Sequence, residues 1–448
     1  MLALSLTTFG ALAGVMCGVL PALSSAAVQP ETDVSASQAG APGGSGLAIL
    51  TAKALTCADG GDQVINNAIV LVRDGKIEAL GPRHSLAIPE GYEVLDVGER
   101  WLAPGMVELH CHQGGVDFFR GGAADVNDMV YLTNPGLRVA TTARTGEVHQ
   151  GRAVAGGVTT VLYIPGSGTN IGGQGVVFKF GPDRWEDALV RDPGGMKLAQ
   201  WGNPESWTVG VGMTVEHWNT RNTIAEGVAY ARRWEASEAG DCPQPEKDIR
   251  FDIFRDLYSG EIAIATHTQM YQVVLTTITM IARDFQLPVF LDHSTIGGWL
   301  TGELCVEYDV PAIVGPRVLD TLSRRMIAWA RNGHEGMRGV AAGYQERGLE
   351  NVGFNTDSPV IAQEELHVQA TMGVRYGLRD DQLQALRGLT IVPAMAAHID
   401  SRVGSLEPGK DADILVCTGY PVDPRVASDL VFVNGACVYD AAQDGRIW

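Results

Sequence analysis

Short apolar runs separated by turn residues occupy both ends of the chain. Near the start they cover residues 47–51, 68–72 and 77–80, with an Asp74-Gly75 turn before the last of them. Near the end they cover 413–417 and 430–439, with an Asn434-Gly435 turn. Alternation with such turns is typical of antiparallel β structure. We therefore expect residues 47–103 and 391–448 to form one composite β-sandwich.

Between these ends, apolar strands alternate with segments of helical spacing. Residues 222–236, 271–284 and 321–331 have the helical pattern, and the strand patterns cover 157–164, 175–180, 195–199, 261–266, 287–291, 311–314 and 351–355. Repeated units of strand followed by helix favour a parallel (β/α)8 barrel of the TIM type, here residues 104–390. The chemistry of such barrels lies at the carboxyl ends of the strands.

The first 46 residues have the pattern of an export signal and a spacer. Residues 2–23 are almost wholly apolar or small, and Leu-Ser-Ser-Ala-Ala27 is typical of a cleavage site. We predict a signal peptide at 1–27, a flexible spacer at 28–46 and an exported protein, periplasmic or secreted. An uncleaved anchor is the alternative, because no Lys or Arg precedes the apolar run. No later segment has the roughly 20 apolar residues of a spanning helix.

Charge narrows the class of partner. The 448 residues include 52 acidic and 33 basic side chains, a net charge of −19, which argues against a nucleic-acid or anionic-membrane surface. A small molecule or a dipeptide is the expected partner, and a homo-oligomer is compatible with the composition. The seven cysteines include no Cys-x-x-Cys pair, which argues against a cysteine zinc site.

Candidate metal ligands stand at the ends of four predicted strands. His110 and His112 are one residue apart, so a strand places both imidazoles on one face. His267, His293 and Asp357 follow three later strands. Each residue alone is an ordinary polar residue at a strand end. Together on one rim of a barrel they predict a site for a divalent metal, with zinc as the expected ion.

Several motifs make the chain resemble the metal-dependent amidohydrolase superfamily, in particular its imidazolonepropionase-like and prolidase-like members. The motifs are Asp74-Gly-Lys-Ile77, the segments 103–112 and 157–160, His267, His293, Thr356-Asp357, and the segment 403–414. The resemblance covers nearly all of residues 46–439 and implies a barrel joined to a sandwich built from both chain ends.

The resemblance also implies the ligand set. His110, His112, His267, His293 and Asp357 would bind one or two divalent ions. Lys197 would bridge them as a carbamylated lysine, and Lys179 is a weaker candidate for this role. The alternative for Lys197 is a solvated lysine with no role in metal binding. Glu108 stands where the family usually has Asp.

The expected activity is hydrolysis of a C–N bond by metal-activated water, with Asp357 as general base. The substrate would be an amide, a dipeptide or a cyclic amide. Deamination of a ring amidine on the same centre and a catalytically silent metal-binding protein are the alternatives. Residues 166–175 are expected to form a loop over the rim, and Tyr163, Asn170 and Gln174 are candidate substrate contacts.

Overall fold

Two eight-stranded sheets organise the chain, one central and one built from its two ends. The computed structural model describes residues 46–115, 127, 131–200, 212–316, 319–320 and 338–448. The strands are β1 Leu47–Leu55, β2 Val64–Arg73, β3 Lys76–Pro82, β4 Glu93–Asp96, β5 Trp101–Pro104, β6 Met106–Cys111, β7 Val158–Tyr163, β8 Ile171–Lys179, β9 Leu189–Ala199, β10 Ile264–Met270, β11 Val289–Ile296, β12 Ala312–Val314, β13 Leu319–Asp320, β14 Arg338–Gly339, β15 Val352–Phe354, β16 Ile414–Cys417, β17 Ser428–Val433 and β18 Ala436–Asp440.

The helices lie mainly between strands of the central sheet. They are α1 Val148–Ala155, α2 Trp185–Ala188, α3 Met213–Glu238, α4 Ile253–Ser259, α5 Tyr271–Thr277, α6 Gly302–Glu307, α7 Val340–Glu346, α8 Leu366–Arg375, α9 Gln384–Arg387 and α10 Ile391–Ala396. The predicted helix at 222–236 lies inside α3. The one predicted at 271–284 is α5 continued by a π-helical turn, Ile278–Asp284. The helix predicted at 321–331 lies outside the described residues.

The central sheet is a nearly closed barrel. Its strands follow chain order, from β6 through β12 to β15. The two edges meet where Cys111 bridges to Ser358 and the His112 N–H donates to the Ser358 carbonyl at 2.8 Å. The α/β barrel predicted from the alternating pattern is therefore confirmed in its main features.

One strand departs from the predicted all-parallel order. β8 runs antiparallel to both β7 and β9, and residues 171–175, expected in a loop over the rim, are part of it. The prediction was wrong because a run of glycines is typical of loops, whereas in a strand glycine marks a close approach of backbones. At Gly173, where φ is +124°, a Cβ would lie 2.6 Å from the Leu137 carbonyl oxygen.

The second sheet joins the two ends of the chain. β16 pairs antiparallel with β5, and β5 pairs with β1, so strands from both termini share one set of hydrogen bonds. The sheet has a hydrophobic core of its own, which includes Ile49, Val70 and Ile414. Its closure into a two-layer sandwich, and the boundaries 47–103, 104–390 and 391–448, stay predictions.

A buried charge cluster fastens this sheet to the barrel. Lys179, at the end of β8, donates to Asp411 at 2.7 Å and to Asp413 at 2.9 Å. Asp411 also accepts from Arg402 at 2.8 Å and pairs with Lys76 of β3. The two aspartates of the segment 403–414 thus have a structural role at the junction.

The predicted signal peptide at 1–27 and residues 28–45 of the predicted spacer lie outside the described residues. Within the described part of the chain, no helix has the length and apolar character needed to span a membrane.

Candidate metal centre

The six residues of the predicted ligand set come together inside one end of the barrel. His110, His267, His293 and Lys197 are buried on β6, β10, β11 and β9, and His112 follows β6 directly. Asp357, three residues after β15, is the most exposed, with 15 % of its side chain accessible. Parallel strands place these positions at the same rim, as the barrel pattern predicts.

The side chains form two donor groups that share His110. One contains His110, His267 and His293, and the other contains His110, His112 and Asp357. Within each group the candidate ligand atoms all lie within 4.8 Å of one another. Asp357 Oδ1 is 3.5 Å from His110 Nε2 and 3.4 Å from His112 Nε2.

Main-chain carbonyls orient two of the imidazoles. His112 Nδ1 donates to the Ile164 carbonyl at 3.0 Å, and His293 Nδ1 donates to the Gly315 carbonyl at 2.8 Å. A carbonyl oxygen can only accept, so both rings have their hydrogen on Nδ1 and a lone pair on Nε2. Both Nε2 atoms face Asp357, at 3.4 Å and 3.9 Å. This is how metal-binding histidines are commonly held.

Burial favours the neutral form of three of the imidazoles. Burial sets the pKa of His110 and His267 well below the ordinary value, with a further contribution from the nearby cations. Burial likewise lowers the pKa of His293 to about 4. For Asp357, burial alone would raise the pKa, but His293 and His112 together lower it. Neutral imidazoles beside an ionised carboxylate are the forms that bind a divalent ion.

Lys197 belongs to this centre and Lys179 does not. Lys197 Nζ lies 2.9 Å from His110 Nε2, and burial lowers the pKa of the Lys197 ammonium to about 8. Lys179 is held by Asp411 and Asp413 at the junction with the second sheet. The direction of β8 explains the difference, since its end lies beside the start of β7, where Lys179 pairs with Thr160.

Glu108 ties the first ligand strand to the turn that contains Asp357. Its carboxyl group accepts from the His110 N–H at 3.0 Å, the Thr356 N–H at 2.9 Å and the Thr356 hydroxyl at 2.7 Å. Burial raises the pKa of Glu108 to about 8. The Glu108 side chain thus bridges β6 and the turn that follows β15.

The backbone is strained at two of the candidate ligands. His293 has φ +68° and Asp357 has φ +51°, and Ser294 after His293 has φ +51°. Non-glycine residues in the left-handed region are uncommon and concentrate at functional sites.

The residues present fit a divalent metal. His267 Nε2 is buried and has no hydrogen-bond partner among the described residues, although a buried polar atom normally has one. Imidazole nitrogens with one carboxylate are the donors that zinc and related ions take in catalytic sites. Either donor group supplies three such ligands.

The three candidate substrate contacts have protein partners. The Tyr163 hydroxyl lies 3.0 Å from the Thr142 hydroxyl, Asn170 donates to the Ala199 carbonyl at 3.2 Å, and Gln174 donates to the Pro135 carbonyl at 3.0 Å. None of the hydrogen bonds described for them reaches the histidine cluster. Their contact with substrate stays a prediction.

Sequence reasoning did not find Asp292. It lies on β11 next to His293, buried, with Oδ2 2.9 Å from His110 Nδ1. Strict alternation along β11 predicts that Asp292 and His293 lie on opposite faces of the strand, with Asp292 away from the centre. The left-handed backbone at His293 departs from this regular alternation. The Asp-His pair at a strand end was the available signal.

Comparisons with known proteins agree with this geometry. Residues 302–446 match the model of the amidohydrolase family. The crystal structure of an amidohydrolase from Thermotoga maritima MSB8 superimposes with a TM-score of 0.75 and 26% identity, covering 88% of this chain and all of that one.

Two curated relatives match over parts of their length. Amidohydrolase tasK of Hapsidospora irregularis is 23% identical over 412 residues, 85% of this chain and 40% of that protein. The 5-methylthioadenosine/S-adenosylhomocysteine deaminase of Symbiobacterium thermophilum is 32% identical over 110 residues, 23% of this chain and 25% of that enzyme. The chain thus spans less than half the length of these two relatives. The family match over residues 302–446 and the fold shared with the Thermotoga structure show that the chain is similar to amidohydrolases.

Proposed function

We propose that the protein hydrolyses a C–N bond of a small amide, dipeptide or cyclic amide at a divalent metal centre. The observation that carries the proposal is the pair of donor groups sharing His110. Four imidazoles and one ionised carboxylate face each other at the barrel rim where this fold has its chemistry.

One or two ions would be held there, with zinc as the expected metal. His110, His112 and Asp357 would hold one ion, and His267 and His293 would hold the second. Lys197, 2.9 Å from the shared ligand, is placed to bridge them as a carbamate. A bound divalent ion supplies a lowered pKa for water and polarisation of the scissile carbonyl.

Asp357 is the residue proposed to move the proton. Its carboxylate is ionised and is the most accessible of the ligand set. It would take a proton from the attacking water and return it to the leaving nitrogen. Water then adds to the carbonyl carbon, the C–N bond breaks, and the products are an acid and an amine. General acid–base catalysis of this kind contributes about 10²–10⁴-fold to a rate.

Asp357→Asn tests this role. We expect turnover to fall by about 10²–10⁴-fold, because the amide cannot accept the proton. Asp256→Asn on α4 is the control, and its turnover should equal that of the wild type. Full turnover by the Asp357→Asn variant would refute the assignment.

Deamination of a ring amidine is the second candidate, favoured by the 110-residue similarity to the deaminase. The same residues would serve, with the exocyclic nitrogen leaving as ammonia. A screen of dipeptides, N-acyl amino acids, lactams and aminopurines separates the two. An amine and an acid without ammonia support amide hydrolysis, and stoichiometric ammonia with no new carboxylate supports deamination.

Export is proposed from the apolar run in residues 1–27. The protein recovered from the periplasm or medium should begin at residue 28, as mass spectrometry of its N-terminus would show. An intact Met1 in the cytoplasmic fraction would contradict the proposal.

A further inference from the structure

A buried carboxylate faces the one imidazole that both donor groups share. Asp292 Oδ2 lies 2.9 Å from His110 Nδ1, and both side chains are fully buried. Among the described residues, neither Asp292 oxygen nor His110 Nδ1 has a hydrogen-bond partner of its own. A buried polar group without a partner is costly, so the 2.9 Å contact is energetically important to both side chains.

The contact with Lys197 indicates which nitrogen of His110 has the hydrogen. Lys197 without a carbamate is an ammonium group, which donates to His110 Nε2 at 2.9 Å and cannot accept. Nε2 therefore has the lone pair and Nδ1 has the hydrogen, and Asp292 Oδ2 lies 2.9 Å from Nδ1. In this tautomer the lone pair of Nε2 is on the side of Asp357 Oδ1, which is 3.5 Å away and belongs to the same donor group.

The other two oriented imidazoles have a different kind of group beside Nδ1. His112 and His293 have main-chain carbonyls at Nδ1, from Ile164 and Gly315. His267 Nδ1 lies 2.9 Å from His293 Nε2, whereas His110 Nδ1 lies 2.9 Å from a carboxyl group, that of Asp292. A carboxyl group beside the outer nitrogen of a histidine orients the ring and makes it a stronger ligand, as in carboxylate–histidine–zinc arrangements.

We infer that Asp292 is a positioning residue for the metal centre: it fixes the ring and tautomer of His110 and strengthens that histidine as the ligand common to both donor groups. The inference rests on the proposed function, since it assumes that the centre binds a metal. Asp292 acts through His110 and does not touch substrate.

The first test compares metal binding by the Asp292→Asn variant and the wild type. Asparagine keeps the shape of the side chain and replaces its carboxyl group with an amide that cannot ionise. We expect zinc affinity, measured by competition with a chelator, to fall about 10–100-fold, with faster zinc release. The visible spectrum of the cobalt-substituted protein should shift as well. Asp380→Asn is the matched control, a part-buried carboxylate that accepts from Tyr420 at 2.8 Å and belongs to neither donor group. Its zinc affinity should equal that of the wild type.

A double-mutant cycle separates positioning from a general structural effect. If Asp292 acts through His110, the Asp292→Asn/His110→Ala variant should bind zinc as His110→Ala alone does. An equal loss of affinity with and without His110 would overturn the inference, as would unchanged affinity and spectrum in Asp292→Asn.

A measurement on the wild type covers the case in which Asp292→Asn does not fold. In ¹⁵N-histidine-labelled protein, the His110 signals should show the hydrogen on Nδ1, and the Nε2–H form would overturn the inference. A wild type that binds no metal refutes the proposed function itself. A wild type that binds metal and hydrolyses amides, with Asp292→Asn indistinguishable from it, refutes the positioning role alone.

Discussion

Neutralising Asp411 should loosen the junction between the barrel and the sheet of the chain ends. Its carboxylate accepts from Lys179 at 2.7 Å and from Arg402 at 2.8 Å, and also pairs with Lys76. Lys179 is 1 % exposed and Asp411 2 %, so water cannot replace these contacts. Asp411→Asn leaves Asp413 as the remaining carboxylate beside the Lys179 ammonium.

The size of the effect follows from that burial. Removing one partner of a buried ion pair costs roughly 3–5 kcal/mol, and because Asp413 remains we expect the lower end, about 3 kcal/mol. Urea unfolding at pH 7, followed by circular dichroism and tryptophan fluorescence, measures the change. The exposed pair of Asp423 with Arg425 is the control, and Asp423→Asn should leave the unfolding midpoint unchanged.

The pH dependence adds a second check. Burial on its own would raise the pKa of Asp411. The positive charge of Lys179 and the hydrogen bonds from Lys179 and Lys76 together lower this pKa below its ordinary value. A carboxyl group whose pKa is lowered by folding stabilises the protein above its unfolded pKa, about 3.9. That stability is lost as the pH falls through the folded pKa. The difference between Asp411→Asn and the wild type should therefore be full at pH 7 and shrink below the unfolded pKa. No difference at pH 7, or one that persists undiminished in acid, would refute the reasoning.

Two further pairs of variants test the placement of residues in the barrel. Lys197→Ala should lower the metal bound per chain, measured by elemental analysis, because its Nζ lies beside a shared ligand; Lys179→Met should keep the metal content and lower the unfolding midpoint. Equal metal loss in both would contradict the assignment of the two lysines. Gly173→Ala should destabilise the protein, because its Cβ would lie 2.6 Å from the Leu137 carbonyl at φ +124°. A Cβ at Gly151 in α1 would have nothing within 4 Å, so Gly151→Ala should stabilise the protein by about 0.5–1 kcal/mol. Urea unfolding measures both changes, and a stabilising Gly173→Ala or a destabilising Gly151→Ala would be evidence against the backbone argument.

The clustering of the candidate ligand histidines could be predicted because it depends on strand direction alone. In parallel strands a residue at the carboxyl end reaches the same rim whatever the loops do, so His110, His267 and His293 follow from the apolar runs before them. The meeting of the chain ends followed from the recurrence of one β pattern at both, and the β5–β16 pairing shows it.

What the sequence could not supply were departures from regular geometry. Glycine at 172, 173 and 175 is compatible with a loop or with close backbones in a sheet, and only the packing of Leu137 against Gly173 selects the strand. Because β8 is antiparallel, Lys179 lies away from the metal centre, and Lys197 is the lysine that lies beside His110. Asp292 could not be predicted because regular strand alternation places it on the face opposite to His293. The left-handed backbone at His293 has no sequence signal.

Metal content measured together with activity tests the central claim most directly. Purified wild-type protein should contain one or two equivalents of a divalent metal per chain and hydrolyse a C–N substrate. Chelation should abolish turnover, and adding zinc back should restore it. Full hydrolysis by protein shown to be free of metal would contradict the account.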